Sequence, residues 1–267
     1  LVRTDLGSGV QTFGTAHAGF EICALTISIN RSILATSDIA AEPKIVIWSS
    51  LNIGNGPQRI IRGPHSNAIT LLAFDDDKGE RLASIGADSS HTLAVHDTKS
   101  GYLLLSSPTT KRKPLDLKFG KSGKELAIVG VKHALFFTFV AGHAATRHAT
   151  ATFARIGRQG SLQAFLCCAF LPNGNCIAGT ADGHLFVFGE TSRELEKSIK
   201  AHDGFIYSMD SPWCRARKTG RGPSSITLVT GARDGDIKLW NEALEMVSKF
   251  DNHGAGPVRS VFISADL

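Results

Sequence analysis

Short runs of alternating apolar and polar residues, separated by Gly and Asp, cover most of this chain. The clearest pattern is the stretch 228–241, LVTGARDGDIKLWN, in which two such runs flank Asp234 and Gly235. A period of two is typical of strands, and Asp-Gly is a preferred hairpin turn. The stretch therefore predicts two antiparallel strands and a tight turn. Similar runs recur along the chain without a long amphipathic helix, so we expect an all-β protein.

Four polar or aromatic residues in and before this stretch predict a hydrogen-bond network. A buried Trp240 needs an acceptor for its indole N–H, which Thr230 can supply. His202 can then join the Thr230 hydroxyl to the Asp234 carboxylate. The same residue types form nucleophilic triads, but a hydroxyl tied to an indole inside a sheet is not a free nucleophile. We therefore interpret the set as structural, of the kind found in the WD-repeat blades of β-propellers.

Weaker copies of the pattern recur, with Trp48, His96, Phe137, Phe188 and Trp240 at equivalent positions spaced by 48, 41, 51 and 52 residues. These spacings are close to the roughly 40 to 45 residues of one four-stranded WD blade. The predicted fold is therefore an all-β WD-repeat propeller with five blades and partial flanking blades. The predicted blades cover about 17–63, 64–110, 111–160, 161–201 and 202–252, a sixth begins at 253–267, and 1–16 is expected to end a preceding blade.

The blades differ in how much of the polar set they keep. Only the fifth is predicted to hold all of it. The second keeps His65, Ser84 and Asp88 but has His96 in place of tryptophan. In the first, a longer loop over 38–43 replaces the turn that would supply the carboxylate, although His17, Thr36 and Trp48 remain. The third and fourth carry Phe137 and Phe188 and are expected to be held mainly by packing.

Composition narrows the class of protein without identifying a catalytic centre. The chain has 267 residues, of which 42% are hydrophobic and 20% charged, as in ordinary globular proteins. No apolar run reaches the roughly 20 residues that span a bilayer, so no membrane segment is expected. The five cysteines include no CxxC pair, which favours a reducing compartment. Although His143 and His148 flank one loop, no zinc spacing is present, and we predict no metal and no cofactor.

Several stretches together resemble the first propeller of the echinoderm microtubule-associated protein-like family. They are GADSSHTLAVHD (86–97), IVGVKHALFFTF (128–139), FLCCAFLPNGNCIAGTADGHLFVFGE (165–190), AHDGFIYSM, LVTGARDGDIKLWNEALEMVSKF and GPVRSVFIS, in this order. The resemblance implies a microtubule-associated protein with two joined propellers, preceded by a HELP motif and, in some members, by a trimerising coiled coil. It also implies that this chain is a fragment of such a larger tandem propeller. On this basis residues 1–13 follow the HELP motif, and oligomerisation would use regions outside this chain.

The resemblance also implies a partner and a place in the cell. We expect tubulin or microtubules as the partner, other proteins on the propeller faces, and a cytoplasmic, cytoskeletal location that includes cilium or spindle as alternatives. The net charge of +5 and a pI near 9.0 fit attraction to an acidic partner. The predicted binding residues form two basic groups, Lys111, Arg112 and Lys113, and Arg155 with Arg158.

Both groups lie in loops that join an outer strand to the next inner strand, and we expect them on one face of the propeller. A third group, Arg215, Arg217, Lys218 and Arg221, is expected on the opposite face. The alternative for all three is an ordinary solvated loop.

Other functional classes have less support from the residues. An enzyme would need convergent carboxylates, a metal cluster or an exposed nucleophile, and the chain shows none of these patterns. A general WD-repeat adaptor, such as a ubiquitin-ligase receptor or a ciliary assembly component, remains an alternative. Nucleic-acid binding is not expected, because aromatic residues are rarely interleaved with the basic loops, and Trp213 beside Arg215 is the one suggestive neighbour pair.

Overall fold

A computed structural model describes residues 2–4, 11–17, 19–75, 79–120, 122–139, 149–211, 226–251 and 256–263. These residues form two compact units, the first ending at Lys111 and the second beginning at Arg112. The described part is almost entirely β-structure, with a single 3-10 turn at Ile53–Asn55. No helix among the described residues is long and apolar enough to cross a membrane.

The first unit contains a strand pair and two four-stranded sheets. The pair is β1 (Val2–Thr4) with β2 (Gln11–Phe13). Sheet 1 consists of β3 (Ile22–Ile27), β4 (Ile33–Asp38), β5 (Lys44–Ser49) and β6 (Arg59–Arg62). Sheet 2 consists of β7 (Ile69–Phe74), β8 (Arg81–Gly86), β9 (Leu93–Asp97) and β10 (Leu103–Ser107).

The second unit contains three four-stranded sheets. Sheet 3 consists of β11 (Pro114–Phe119), β12 (Glu125–Gly130), β13 (His133–Phe139) and β14 (Ala149–Phe153). Sheet 4 consists of β15 (Phe165–Phe170), β16 (Cys176–Thr180), β17 (His184–Phe188) and β18 (Leu195–Lys200). Sheet 5 consists of β19 (Ile206–Asp210), β20 (Leu228–Ala232), β21 (Ile237–Trp240) and β22 (Met246–Phe250).

Every one of these five sheets is an antiparallel meander in chain order. Within each unit, the first strand of one sheet packs against the first strand of the next, β3 on β7 in the first unit and β11 on β15 and β15 on β19 in the second. Each first strand has a bulge at its second residue, where one extra residue faces its partner strand. The bulged residues are Cys23, Thr70, Leu115, Leu166 and Tyr207.

Burial falls from the middle strands of a sheet to its last strand. In sheet 3, β12 and β13 are buried along nearly their whole length, whereas β14 is exposed. A strand covered on both faces needs apolar residues at successive positions, which explains runs such as ALFF in β13. In sheet 4 the buried ring of Phe188 meets those of Phe165 and Phe186 edge to face, with centroids 6.0 and 6.5 Å away. The rings of Phe165 and Phe186 are tilted against each other at 5.7 Å.

The strand register agrees with the repeat alignment made from the sequence. Five aromatic or imidazole side chains occupy the same position near the end of the third strand of each sheet. Trp48, His96, Phe137, Phe188 and Trp240 lie opposite Leu34, Leu82, Leu126, Cys176 and Leu228, respectively. All five are buried. Packing at this position is therefore shared by every sheet, whereas hydrogen bonding is not.

The segment 256–263 runs along β19, where a sixth blade was predicted to begin. The N–H of Val258 donates to the carbonyl of Ala232 at 2.9 Å, and that of Val261 to Ser208 Oγ at 3.1 Å. The N–H of Ile263 donates to Asp210 Oδ2 at 2.8 Å. A similar bond joins Cys168 N of β15 to Asp116 Oδ2 of β11 at 2.8 Å. The segment thus contacts β19 as β15 contacts β11.

Candidate functional site

The polar set of sheet 5 forms one continuous chain of hydrogen bonds. Trp240 Nε1 donates to Thr230 Oγ1 at 3.0 Å, and Thr230 Oγ1 lies 2.7 Å from His202 Nε2. His202 Nδ1 lies 2.9 Å from Asp234 Oδ2. Thr230 and Trp240 belong to paired strands, whereas His202 precedes β19. The chain of bonds therefore joins the middle of the sheet to the segment that enters it.

Donor and acceptor matching assigns a neutral imidazole to His202. Asp234 can only accept, so Nδ1 carries the proton, and Nε2 then accepts from the Thr230 hydroxyl. Burial lowers the pKa of His202, although Asp234 opposes this effect. Burial would raise the pKa of Asp234, but the N–H groups of Asp203 and Asp236 hold it below its ordinary value. The network is therefore complete with a neutral histidine and an ionised carboxylate.

This geometry leaves no nucleophile in the set. Thr230 is fully buried, and its hydroxyl oxygen already accepts from Trp240 while its proton is directed to His202. A triad nucleophile needs an exposed oxygen next to substrate. The set can hold two strands and an entering loop together, and it cannot attack a substrate without being dismantled.

Sheet 1 contains a second complete set, which corrects the expectation that only the fifth blade holds one. His17 Nε2 and Trp48 Nε1 each lie 2.8 Å from Thr36 Oγ1, and His17 Nδ1 lies 2.8 Å from Asp38 Oδ2. The carboxylate comes from the last residue of β4 instead of the turn after it. Asp38 Oδ1 also accepts the N–H of Lys44 at 2.9 Å, so one side chain closes the longer loop and completes the set.

Sheet 2 holds only part of the network that the sequence predicted. His65 Nε2 lies 2.8 Å from Ser84 Oγ, but Asp88 makes no hydrogen bond to His65. The Asp88 carboxylate instead accepts bonds from Ser90 and Thr92 in its own turn. Short polar side chains close to an Asp compete effectively for its oxygens. Asp88 is therefore a turn residue, and its predicted place in the network is wrong.

Two buried imidazoles associated with sheet 2 have ring nitrogens without hydrogen-bond partners in the described part of the chain. His65 Nδ1 and both ring nitrogens of His96 have no hydrogen-bond partner among the described residues. Burial lowers the pKa of each side chain to about 4, and for His96 the neighbouring His65 adds to this effect. Both histidines are neutral at pH 7, and protonation is unfavourable in the folded state.

Sheet 4 joins a different set of polar groups, which the sequence analysis did not identify. Thr180 Oγ1 donates to Asp182 Oδ1 at 2.6 Å, and His184 Nδ1 lies 3.0 Å from the same oxygen. Burial would raise the pKa of Asp182, but hydrogen bonding to its carboxylate, chiefly from the Thr180 hydroxyl, outweighs burial and lowers the pKa to about 2. These groups lie in and beside the β16–β17 turn and fix its shape. The signal was the run TADGH, which spaces hydroxyl, carboxylate and imidazole two residues apart.

One group of described side chains has donor atoms close enough to surround a metal ion. Ligand atoms of His202, Asp234 and Asp236 lie within 4.8 Å of one another. His202 and Asp234 are already bonded to each other, and Asp236 forms an ion pair with Lys249 at 3.0 Å. A metal would have to replace both interactions. The predicted loop with His143 and His148 lies outside the described residues, as does Cys214, and the other four cysteines are free thiols.

The two predicted basic groups make contacts at different ends of their sheets. Lys111, Arg112 and Lys113 are exposed, and Arg112 Nη1 donates to the carbonyl of Lys132 at 2.6 Å, in the β12–β13 turn. Arg155 Nη1 instead pairs with Glu194 Oε1 at 3.0 Å, in the β17–β18 turn. Arg158 is exposed.

The two basic groups were expected on one face of the propeller, but their contacts lie at different ends of the sheets. The course of the joining segment 154–164 explains this difference. It is bonded at residue 155 to the backbone of residues 193–195, and at residue 163 to Lys132 and Asp182. It therefore packs along sheet 4 instead of projecting as a loop. The third basic group, with Arg215, Arg217, Lys218 and Arg221, lies outside the described residues, and so does Trp213.

Sequence reasoning missed a cluster of aromatic and arginine side chains at the start of sheet 5. The guanidinium carbon of Arg233 lies 5.4 Å from the ring centroid of Phe205, and that of Arg259 lies 4.5 Å from the ring of Tyr207. The two rings meet edge to face, with centroids 5.9 Å apart. Each arginine is far from its ring in sequence, so neighbouring residues gave no signal.

Comparisons with known proteins agree on one family. The model of the echinoderm microtubule-associated protein first β-propeller matches residues 10–266. Among curated proteins, echinoderm microtubule-associated protein-like 4 of Homo sapiens is 25% identical over 251 residues, which covers 85% of this chain and 24% of that protein. The Xenopus laevis protein of the same name is 24% identical over 253 residues, with 85% and 26% covered. Echinoderm microtubule-associated protein-like 2 of Mus musculus is 23% identical over 254 residues, with 90% and 36% covered.

A solved structure supports the fold independently. The β-propeller domain of Cps50 (Swd1) from Myceliophteria thermophila superposes with a TM-score of 0.65 at 14% identity, covering 88% of this chain and 75% of that domain's chain. The chain spans only 24% to 36% of the length of the three curated relatives. The family model nevertheless covers nearly all of this chain, and the chain therefore belongs to the echinoderm microtubule-associated protein family, in the part that forms the first β-propeller.

Proposed function

We propose that this chain is a non-enzymatic propeller that binds tubulin or microtubules and serves as a scaffold for cytoskeletal assemblies. The observation that carries the proposal is the match to the family's first propeller over residues 10–266. The relatives reported above bear the name microtubule-associated, and this chain corresponds to a quarter to a third of their length. Under this proposal, the propeller is one of the parts of the full-length protein that contact the microtubule. It places the chain on the cytoplasmic cytoskeleton.

The geometry of the polar sets supports a role without catalysis. In the described residues, the hydroxyls next to histidine in sheets 1 and 5, Thr36 and Thr230, are buried and already bonded. Burial also raises the pKa of Cys167 far above its ordinary value, so this thiol is unsuited to act as a nucleophile. These groups stabilise the sheets, and partner binding would use the exposed loops.

Exposed positive charge supports an acidic partner. The net charge is +5, and Lys111, Lys113 and Arg158 are exposed without an ion pair to any described residue. Arg155 differs, because Glu194 compensates its charge. We therefore expect the group 111–113 to contribute more to the attraction than the pair Arg155 and Arg158.

Microtubule co-sedimentation of charge-reversal variants tests this proposal. One variant replaces Lys111, Arg112 and Lys113 with Glu, and a second replaces Arg155 and Arg158. A matched control replaces three other exposed cations, Arg62, Lys99 and Lys124, with Glu. We expect the first variant to lose most of its pelleting at moderate salt and the second to lose less. The control changes the net charge as much as the first variant does, so it should lose only the part of the pelleting that depends on net charge.

The result that contradicts the proposed surface is a folded first variant that pellets as well as the parent chain. If neither the parent chain nor the full-length protein pellets with microtubules, the general adaptor is favoured instead, because an adaptor need not contact microtubules.

A further inference from the structure

The five sheets place two equivalent residues side by side, one just before the first strand and one just after the second. In each sheet the N–H of the later residue donates to the carbonyl of the earlier one at 2.8 to 3.0 Å. The pairs are Glu21 with Ile39, Ala68 with Ala87, Lys113 with Val131, Ala164 with Ala181, and Phe205 with Arg233. Only sheet 5 puts an aromatic ring beside a guanidinium group at this position.

The bulge of the first strand adds a third residue at the same end of the sheet. Bulges re-aim side chains and are frequent beside binding sites. The bulged residue is Cys, Thr or Leu in sheets 1 to 4 and Tyr207 in sheet 5. Sheet 5 therefore departs from the other four at two structurally equivalent positions, and both departures introduce aromatic rings.

Arg259 completes this arrangement, which we name the Arg–aromatic platform: Phe205, Tyr207, Arg233 and Arg259. Arg233 lies over Phe205, the Phe205 ring contacts the Tyr207 ring, and Arg259 lies over Tyr207. Both arginines are exposed, and Phe205 keeps 37% of its surface accessible. A guanidinium held against a ring is pre-organised, and its outward N–H groups remain available as donors.

Nearby carboxylates form no ion pair with the two arginines. Neither Arg233 nor Arg259 forms an ion pair with a described residue, whereas Asp234 is bonded to His202 and Asp236 to Lys249. Asp203 lies 4.0 Å from Lys200. Asp234 remains negatively charged, but its oxygens accept N–H groups from His202, Asp203 and Asp236 instead of contacting an arginine. The guanidinium groups of the platform therefore remain free of ion pairs with the described residues.

We propose that the Arg–aromatic platform binds the carboxylate side chains of an extended acidic peptide. Planar guanidinium groups match carboxylates in a bidentate way, and the ring edges between them can contact aliphatic parts of the peptide. A single-stranded nucleic acid is disfavoured, because a base stacks on an open ring face and a guanidinium covers one face of each ring. The proposal does not depend on tubulin being the partner, since it concerns the chemistry of one surface.

Fluorescence anisotropy with a labelled Glu-rich octapeptide tests the platform directly. We expect saturable binding by the parent chain that weakens with added salt. Arg233→Gln and Arg259→Gln should each weaken binding about ten-fold, as expected for loss of a charge-assisted contact. Lys124→Gln is the matched control, because Lys124 is an exposed cation elsewhere in the same unit and outside the predicted binding groups, and it should change affinity less than two-fold.

A second substitution separates the platform from simple charge attraction. Phe205→Leu keeps an apolar side chain but removes the ring that holds Arg233, and it should weaken peptide binding several-fold without changing net charge. Circular dichroism of each variant shows that the sheet is intact.

Three results would overturn the proposal. They are the absence of saturable binding by the parent chain, equal losses in Arg233→Gln and Lys124→Gln, and tighter binding of an oligothymidylate than of the peptide.

Discussion

At the scale of single residues, four buried histidines show what a complete hydrogen-bond set requires. His17 and His202 each have a carboxylate on Nδ1 and a hydroxyl on Nε2. His65 has only the hydroxyl, and His96 has neither. Burying an unpartnered polar atom costs free energy, whereas a satisfied one contributes modestly to stability. Two sheets therefore gain from their histidine, and sheet 2 tolerates two imidazoles that it does not satisfy.

Truncating His202 tests whether the complete hydrogen-bond network stabilises sheet 5. His202→Ala removes the group that joins Thr230 to Asp234, so we expect the free energy of unfolding to fall by about 1 to 3 kcal/mol. Urea denaturation followed by circular dichroism measures it. Asp203→Ala is the control, because its side chain is 94% exposed, and it should change stability by less than about 0.5 kcal/mol. An unchanged midpoint for His202→Ala would show that the network does not stabilise the sheet.

The pH dependence of stability tests whether His65 and His96 are buried as neutral imidazoles. The pKa values of His65 and His96 are lowered from 6.5 to about 4 in the folded chain. Below pH 6.5 the unfolded chain binds protons that the folded chain does not, so stability falls progressively as the pH drops from 6.5 towards 4. Each pKa unit corresponds to about 1.4 kcal/mol when titration is complete. Urea midpoints at pH 7.5, 6.0 and 5.0 measure this loss.

Replacing His96 with phenylalanine should reduce that acid sensitivity. Phe137 and Phe188 already occupy the equivalent position in sheets 3 and 4. His96→Phe removes two unpartnered nitrogens, so it should raise stability at pH 7 by about 1 kcal/mol and by more at pH 5. His91→Gln changes a half-buried histidine of the same sheet and serves as control. If both variants keep the parent's pH dependence, His96 is not a source of it.

The sequence could predict the complete network of sheet 5 but not its variations. Thr230, Asp234 and Trp240 follow the spacing of a hairpin, which local chemistry determines. Asp38 was missed because its carboxylate reaches His17 from a strand end, and no sequence spacing distinguishes that from a loop aspartate. Asp88 was assigned wrongly because Ser90 and Thr92 compete for its oxygens.

At the scale of elements, the tight contact between sheets 4 and 5 depends on a glycine. Gly183 lies in the β16–β17 turn with φ of 87°, and its carbonyl accepts the N–H groups of Ala201 and His202 at 2.9 and 3.0 Å. A Cβ added at Gly183 would lie 2.0 Å from the carbonyl oxygen of His202. The turn of one sheet thereby positions the histidine of the next.

Gly183→Ala should therefore be more harmful than backbone strain alone explains. We expect a loss of more than about 2 kcal/mol, because the methyl group displaces the backbone at His202. Gly157→Ala is a matched control with positive φ of 60° and no atom within 4 Å of the added Cβ, and it should cost about 1 kcal/mol. Calorimetric melting temperatures compare the two, and equal losses would mean that the contact with His202 does not matter.

The elements themselves were largely predictable, whereas the path of a connection was not. Alternating and continuous apolar runs identified the strands because burial requires them, as in β13 and β20. The segment 154–164 reads as a basic, Gly-containing loop, yet it packs along sheet 4 and pairs Arg155 with Glu194. That course depends on contacts between residues about 40 positions apart, for which a single sequence has no local signal.

At the scale of the whole molecule, the family assignment came from several divergent stretches in order, and the family model extends it to residues 10–266. Local reasoning could not locate the Arg–aromatic platform, because Phe205 and Arg233 come together only when β19 pairs with β20. The same holds for Tyr207 and Arg259. Folding thus brings the residues of the proposed platform together from distant parts of the sequence.

The most direct test of the account is whether this chain binds unpolymerised tubulin. Sedimentation velocity of the chain with a labelled, equimolar amount of tubulin should show a faster-sedimenting complex that dissociates as salt is raised, and His202→Asn should retain it under conditions where that variant is folded. If tubulin sediments unchanged at low salt in the presence of the folded parent chain, tubulin binding by this propeller is contradicted.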